Sequence, residues 1–172
     1  DRPTSGTATV AGNDIGKMSD GALAKFRARH IGFIFQSYNL LPVLTAVENV
    51  ELPLLVARVP AKEARRRAVE ILAAVDLEGW ADHKPAQLGA GQQQRVAIAR
   101  ALVNDPAIVW ADEPTGNLDS ETSAQIMDLM GSLNREQRQT LVLVTHDSMV
   151  SSHAHRVLRM RNGQIVEETR GA

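Results

Sequence analysis

The chain has 172 residues, 44% of them hydrophobic and 23% charged, with a formal net charge of −1. That length supports one domain with its own core, and the near-neutral charge removes the electrostatic case for a nucleic-acid partner. Cysteine is absent, which excludes disulfides, thiolate nucleophiles and Cys-ligated metals. No apolar run approaches the roughly 20 residues of a membrane span. Residues Asp1 to Gly6 show no signal-peptide core.

In chain order, Thr7 to Val10 reads as a short strand, and Ala11-Gly12-Asn13-Asp14 as the turn that follows. Ser19 is placed to cap a helix that runs to about Arg29. Ile31 to Phe35 reads as a buried strand ending at Gln36. The pattern from Thr45 to Val103 is helical, with Ala64, Ala68, Ile71, Leu72 and Val75 on one face. The basic run Arg65-Arg66-Arg67 falls inside that pattern and reads as a solvated helix face.

From Ala107 strands and helices alternate. Ala107 to Ala111 is apolar throughout, as in a parallel strand buried on both faces. A helix is expected from about Ser120, with Ile126, Leu129, Met130 and Leu133 as its stripe. Leu141 to Val144 is a second apolar strand, ending at Thr145-His146-Asp147. Arg156–Met160 and Gln164–Glu167 flank Asn162-Gly163, the signal of a type I′ hairpin. Repeated strand–helix units predict an α/β fold with a mostly parallel sheet. The predicted organisation is one domain over 1–172, with 1–44 and 104–172 as α/β core and 45–103 as an inserted helical lobe.

In such sheets ligands bind at the carboxyl ends of strands, and here a polar residue follows each apolar strand: Gln36, Asp112 with Glu113, and His146. Asp112 suits a Mg²⁺ ion that keeps much of its water. Glu113 suits the polarising of an attacking water. Gly91 precedes a helix whose free N–H groups and positive dipole end suit a phosphate. Singly, each has an ordinary reading: a surface turn, a Gly-rich turn before a helix, a loop glutamine, a capping histidine. A zinc cluster of His146, His153 and His155 stands against exposed loop histidines. The runs Gln92 to Arg95 and Pro114-Thr115-Gly116-Asn117-Leu118-Asp119 make the set specific.

Together these residues resemble the ABC transporter nucleotide-binding domain, a P-loop NTPase-like fold, over essentially the full length. Gln36 matches its Q-loop, Leu88-Gly89-Ala90-Gly91-Gln92 its signature, Asp112 and Glu113 its Walker B motif, Asp119 its D-loop and His146 its switch histidine. The wording Ile31 to Pro42 and Glu48 to Pro53 is similar to the bacterial macrolide-exporter, lipoprotein-releasing and FtsE-type branch. The resemblance implies ATP and Mg²⁺ as cofactors, with Gln36 joining Asp112 at the metal. Glu113, His146 and Gln36 are its implied catalytic residues, and Gly89, Ala90, Gly91, Gln92 and Asp119 its nucleotide contacts. It further implies a homodimer that sandwiches ATP, a membrane permease partner, and a place at the cytoplasmic face of the membrane.

Two departures qualify the resemblance. No G-x-x-x-x-G-K-[ST] phosphate loop occurs, and Asp1 to Gly6 matches a segment shortly after it, so the expectation is an N-terminally truncated domain with weak or no hydrolysis. Loss of that part of the sheet predicts exposed edges and self-association. The family's Leu-Ser-Gly-Gly-Gln reads Leu-Gly-Ala-Gly-Gln at 88–92. Gly89 removes a hydroxyl, and Ala90 would be strained if position 90 required a left-handed backbone. The alternative reading is a non-catalytic binding module that has lost hydrolysis.

Overall fold

The computed structural model describes residues 3–137 and 139–170. It opens with a two-stranded antiparallel ribbon, β1 (Thr9–Val10) and β2 (Asn13–Asp14), in which Val10 pairs with Asn13. Ala11 and Gly12 both have positive φ (47° and 75°), which closes the ribbon in two residues. Asn13 and Asp14 are therefore strand and not turn, a correction to the sequence reading. Helix α1 (Asp20–His30) starts where the Ser19 hydroxyl accepts from Ala22 N–H.

Three helices fill the stretch after the strand β3 (Ile31–Phe35): α2 (Ala46–Val56), α3 (Ala61–Ala74) and α4 (Ala90–Leu102). Thr45 and Glu48 form a reciprocal capping box that fixes the start of α2. Ala64, Ala68 and Leu72 of α3 are fully buried, and the predicted face continues to Val75. The three arginines stay outside: Arg65 pairs with Glu51, Arg66 with Glu63 and Glu70, and Arg67 with Glu63. Exposed pairs of this kind contribute little stability each, so the run is a solvated face as read.

Strands β3, β4 (Ile108–Asp112) and β5 (Thr140–Val144) form a parallel sheet in that order, separated by α4 and by α5 (Ser120–Gln137). Ile126, Met130 and Leu133 of α5 are buried as predicted, Met127 joins them, and Leu129 is partly buried. One sheet face, with Ile34, Val109 and Ala111, enters the core. A Cβ at Gly32 would lie 2.3 Å from Ala101 O, so α4 rests directly on this face and only glycine fits.

The other face departs from expectation. The apolar run at β4 predicts burial on both sides, and its strand is Ile108–Asp112, one residue later than read. Phe33, Trp110 and Val144 remain 42%, 39% and 52% exposed, so among the described residues nothing covers this face. Composition records what a face is suited to touch, not what touches it.

After the short helix α6 (Ser148–Ser152), strands β6 (Arg156–Arg161) and β7 (Gln164–Arg170) form a separate hairpin. Its turn is Asn162-Gly163, both with positive φ, as the type I′ signal requires. The second strand runs to Arg170, beyond the Glu167 expected. Leu158, Met160, Ile165 and Val166 are exposed on it, and β5 is left as a sheet edge among the described residues.

Candidate functional site at the carboxyl edge of the sheet

The parallel register aligns Phe35, Asp112 and Val144 across the three strands. The residues that follow, Gln36, Glu113 and Thr145, therefore emerge at one edge, as the strand-end reading anticipates. Glu113 is held in a left-handed conformation, φ 44°, and its N–H donates to Val144 O at 2.9 Å. A non-glycine residue there costs about 1–3 kcal/mol, and such strain is retained where surrounding bonds over-determine it. The strain turns the Glu113 side chain toward the β5 end.

There the Glu113 carboxylate collects three donors. His146 Nδ1 lies 2.6 Å from Oε1, His146 N–H donates to Oε1 at 3.0 Å, and the Thr145 hydroxyl donates to Oε2 at 3.0 Å. Partial burial opposes ionisation of Glu113, but the His146 ring, the Thr145 hydroxyl and the His146 amide outweigh it. Its carboxyl sits below the ordinary value of 4.5. The hydrogen bond and charge of Glu113 raise His146 above 6.5. Glu113 is thus a carboxylate at neutral pH, able to accept a proton.

The two shifts set a pH window for this contact. The Glu113 contribution is present above pH 4.5 and lost as pH falls through its lowered value; the His146 contribution is present below pH 6.5 and lost as pH rises through its raised value. An NMR titration should give His146 a midpoint above 6.5, and Glu113→Gln should bring it back toward that value. An unchanged midpoint in the variant would show that the pair is not formed in solution.

Asp112 is exposed, and its side chain makes no hydrogen bond among the described residues. Mg²⁺ suits one free carboxylate of this kind, because it keeps waters and takes its other ligands from phosphate oxygens. Gln36 Nε2 is 3.5 Å from Asn117 Oδ1, and Asn117 Nδ2 donates to Gln36 O at 2.9 Å. That leaves the Gln36 side-chain oxygen as the atom able to face a cation. A Cβ at Gly116 would lie 2.7 Å from Gln36 Nε2, so this glycine makes room for the glutamine. Among the described residues no three His, Cys, Asp or Glu gather as a metal cluster. His153, offered above as a zinc ligand with His146 and His155, places Nδ1 2.9 Å from Met149 O.

The Gly89–Gln92 stretch forms the first turn of α4. Gly89 is its N-cap, with an extended backbone, and Gln92 Oε1 accepts from Gly89 N–H at 2.9 Å. Ala90 is the first helical residue and has no positive φ, so the condition under which it would be strained is not met. Position 90 is an ordinary helical position, which alanine adopts without strain. Gly91 does need to be glycine, for packing: a Cβ there would lie 2.7 Å from the Thr122 methyl carbon. Thr122 in turn donates its N–H and hydroxyl to Asp119, at 2.9 and 2.7 Å, which caps α5. The expected nucleotide contacts on α4 and Asp119 are therefore joined through one packing contact. Of the residues expected to be catalytic, Glu113 and His146 form a separate cluster at the sheet edge, and Gln36 bonds to Asn117 instead.

Several residues that hold this site carried no assignment in the sequence. Thr145 and Asn117 were read only as neighbours of motifs. Asn49, fully buried on α2, accepts from Leu41 N–H and donates to the carbonyls of Leu41, Leu44 and Thr45, pinning the loop after Gln36. Gln94 is fully buried on α4. It lies on one helix face with Ala97, Ile98 and Ala101, at helical spacing. A polar residue on an apolar stripe was the available signal.

The family model for the ABC transporter matches residues 1–116. The chain is 49% identical over 170 residues to the macrolide export ATP-binding/permease protein MacB of Sodalis glossinidius, covering 99% of this chain and 26% of that protein. It is 46% identical over 168 residues to the lipoprotein-releasing system ATP-binding protein LolD of Chromohalobacter salexigens, covering 98% of this chain and 71% of that one. Among solved structures, the dimeric post-hydrolysis state of the ATP-binding cassette MJ0796, bound to ADP and Pi, superposes with a TM-score of 0.86. The two are 45% identical, and the match covers 99% of this chain and 75% of that one. An α/β fold with a parallel sheet, a carboxylate pair at its edge and matches of this extent place the chain in the ABC transporter ATP-binding family.

Proposed function

We propose that this chain carries the hydrolytic half of an ATP-binding subunit serving a bacterial export or lipoprotein-release transporter. The observation that supports it best is Glu113, ionised and held by His146 and Thr145 beside the free carboxylate of Asp112. Bound Mg-ATP would supply the phosphorus to be attacked and the metal that neutralises developing charge. Glu113 would then take the proton of the attacking water, His146 would orient Glu113, and Asp112 with Gln36 would hold Mg²⁺. Gly89 to Gln92, at the N-terminus of α4, with Asp119, meets phosphate across a homodimer of the kind seen for MJ0796.

In this reading 45–103 is the helical lobe and 1–44 with 104–172 the α/β core. Leu41 and Val43, after Gln36, and Leu52, Leu55 and Val56 on α2 are exposed apolar residues suited to a permease helix. Docking there would hold the subunit at the cytoplasmic side of the membrane. No described helix is long and apolar enough to cross one.

What the 172 residues lack is the nest of backbone donors and the Lys that grip the phosphates. The second reading is a binding module without hydrolysis. Turnover of Mg-ATP decides between them. The chain alone should be inactive or nearly so, and a chimera joining a relative's phosphate-loop segment to Asp1 should hydrolyse. A chimera that binds Mg-ATP without turnover would favour the binding module.

A further inference from the structure

We propose that Gln94 is a positioning residue for Glu113: its amide ties helix α4 to the turn that aims the carboxylate. Gln94 Nε2 donates to Pro114 O at 2.5 Å, and Pro114 directly follows the left-handed Glu113. The side chain is fully buried, and its Oε1 has no hydrogen-bond partner among the described residues. A residue kept only for packing would leave no polar atom orphaned there, because an apolar side chain of equal length fills the same space. The retained amide is explained by the bond its nitrogen makes.

The tie belongs to a wider bracket. Gly91, one turn earlier on α4, packs against Thr122, which holds Asp119. Pro114 to Thr122 is thus fastened to the first two turns of α4 at both its ends. Further along α4, Arg100 donates to the carbonyls of Tyr38 and Asn39, at 2.7 and 2.5 Å, in the turn after Gln36. A shift of the α4 N-terminus therefore reaches the Glu113 turn through Gln94, without passing through the Glu113–His146 pair.

This role rests on Glu113 as the water-activating carboxylate, but its test measures no hydrolysis, so the two readings fail separately. The probe is the His146 amide, whose N–H donates to Glu113 Oε1. In amide NMR spectra of the chain, Gln94→Met should move the His146 resonance toward its position in a Glu113→Ala reference and displace the Glu113 resonance from its wild-type position. The Val109 amide, within β4, should stay in place. Gln94→Asn keeps a polar amide but falls a methylene short of Pro114; it should cause the same displacement and decides the matter if the Met variant does not fold. His146 and Glu113 resonances left at wild-type positions in a folded variant would overturn the proposal, as would displacement shared equally by Val109.

Discussion

Glu113→Gln is expected to lower steady-state Mg-ATP hydrolysis by about 10²–10⁴-fold in the chimera bearing a phosphate loop, the range for loss of a general base. Glutamine keeps the shape: its one amide oxygen can accept from the His146 amide while its NH2 donates to the Thr145 hydroxyl oxygen, so the strained turn at Glu113 should persist. What disappears is the proton acceptor. KM for Mg-ATP should change little, because uniform binding of the nucleotide does not run through this carboxylate. Equal fractional losses in kcat from Glu113→Gln and from a surface control such as Glu70→Gln would sink the assignment. Retention of turnover in Glu113→Gln would do the same.

The altered signature should affect dimer closure through Gly89 alone. A serine fits at position 89, where the nearest atom to a built Cβ is Gln92 Oε1 at 3.7 Å. A hydroxyl donor to a charged oxygen contributes about 1.5–3 kcal/mol, which at 1.4 kcal/mol per tenfold is roughly 10- to 100-fold tighter closure. Gly89→Ser in the chimera should therefore strengthen ATP-driven dimerisation by that factor, read by analytical ultracentrifugation. Ala90→Gly should not help, because Ala90 is already helical with an ordinary backbone. It should weaken α4 by up to about 1 kcal/mol, the propensity difference between the two residues. Stronger dimerisation from Ala90→Gly than from Gly89→Ser would contradict the structural account.

Much of this protein is legible in its sequence. Local patterns record local physics: Ser19 caps α1, Asn162-Gly163 closes a hairpin, and the 3.6-residue stripe at Ile126, Met130 and Leu133 marks α5. Apolar runs ending in Gln36, Asp112-Glu113 and Thr145-His146 placed the candidate groups at strand ends, because a parallel sheet puts successive strand ends at one edge. Tertiary structure decided the rest, since it depends on what meets what. It paired Glu113 with His146 and Thr145 across 33 and 32 residues of sequence separation, lifting the pKa of His146 and lowering that of Glu113. It showed that Gly91 answers to a threonine on another helix, while Ala90 answers only to its own helix. It buried Gln94 and Asn49 where their amides hold loops by backbone carbonyls. And it left Phe33, Trp110 and Val144 uncovered: hydrophobicity is a property of a side chain, but burial requires a neighbour.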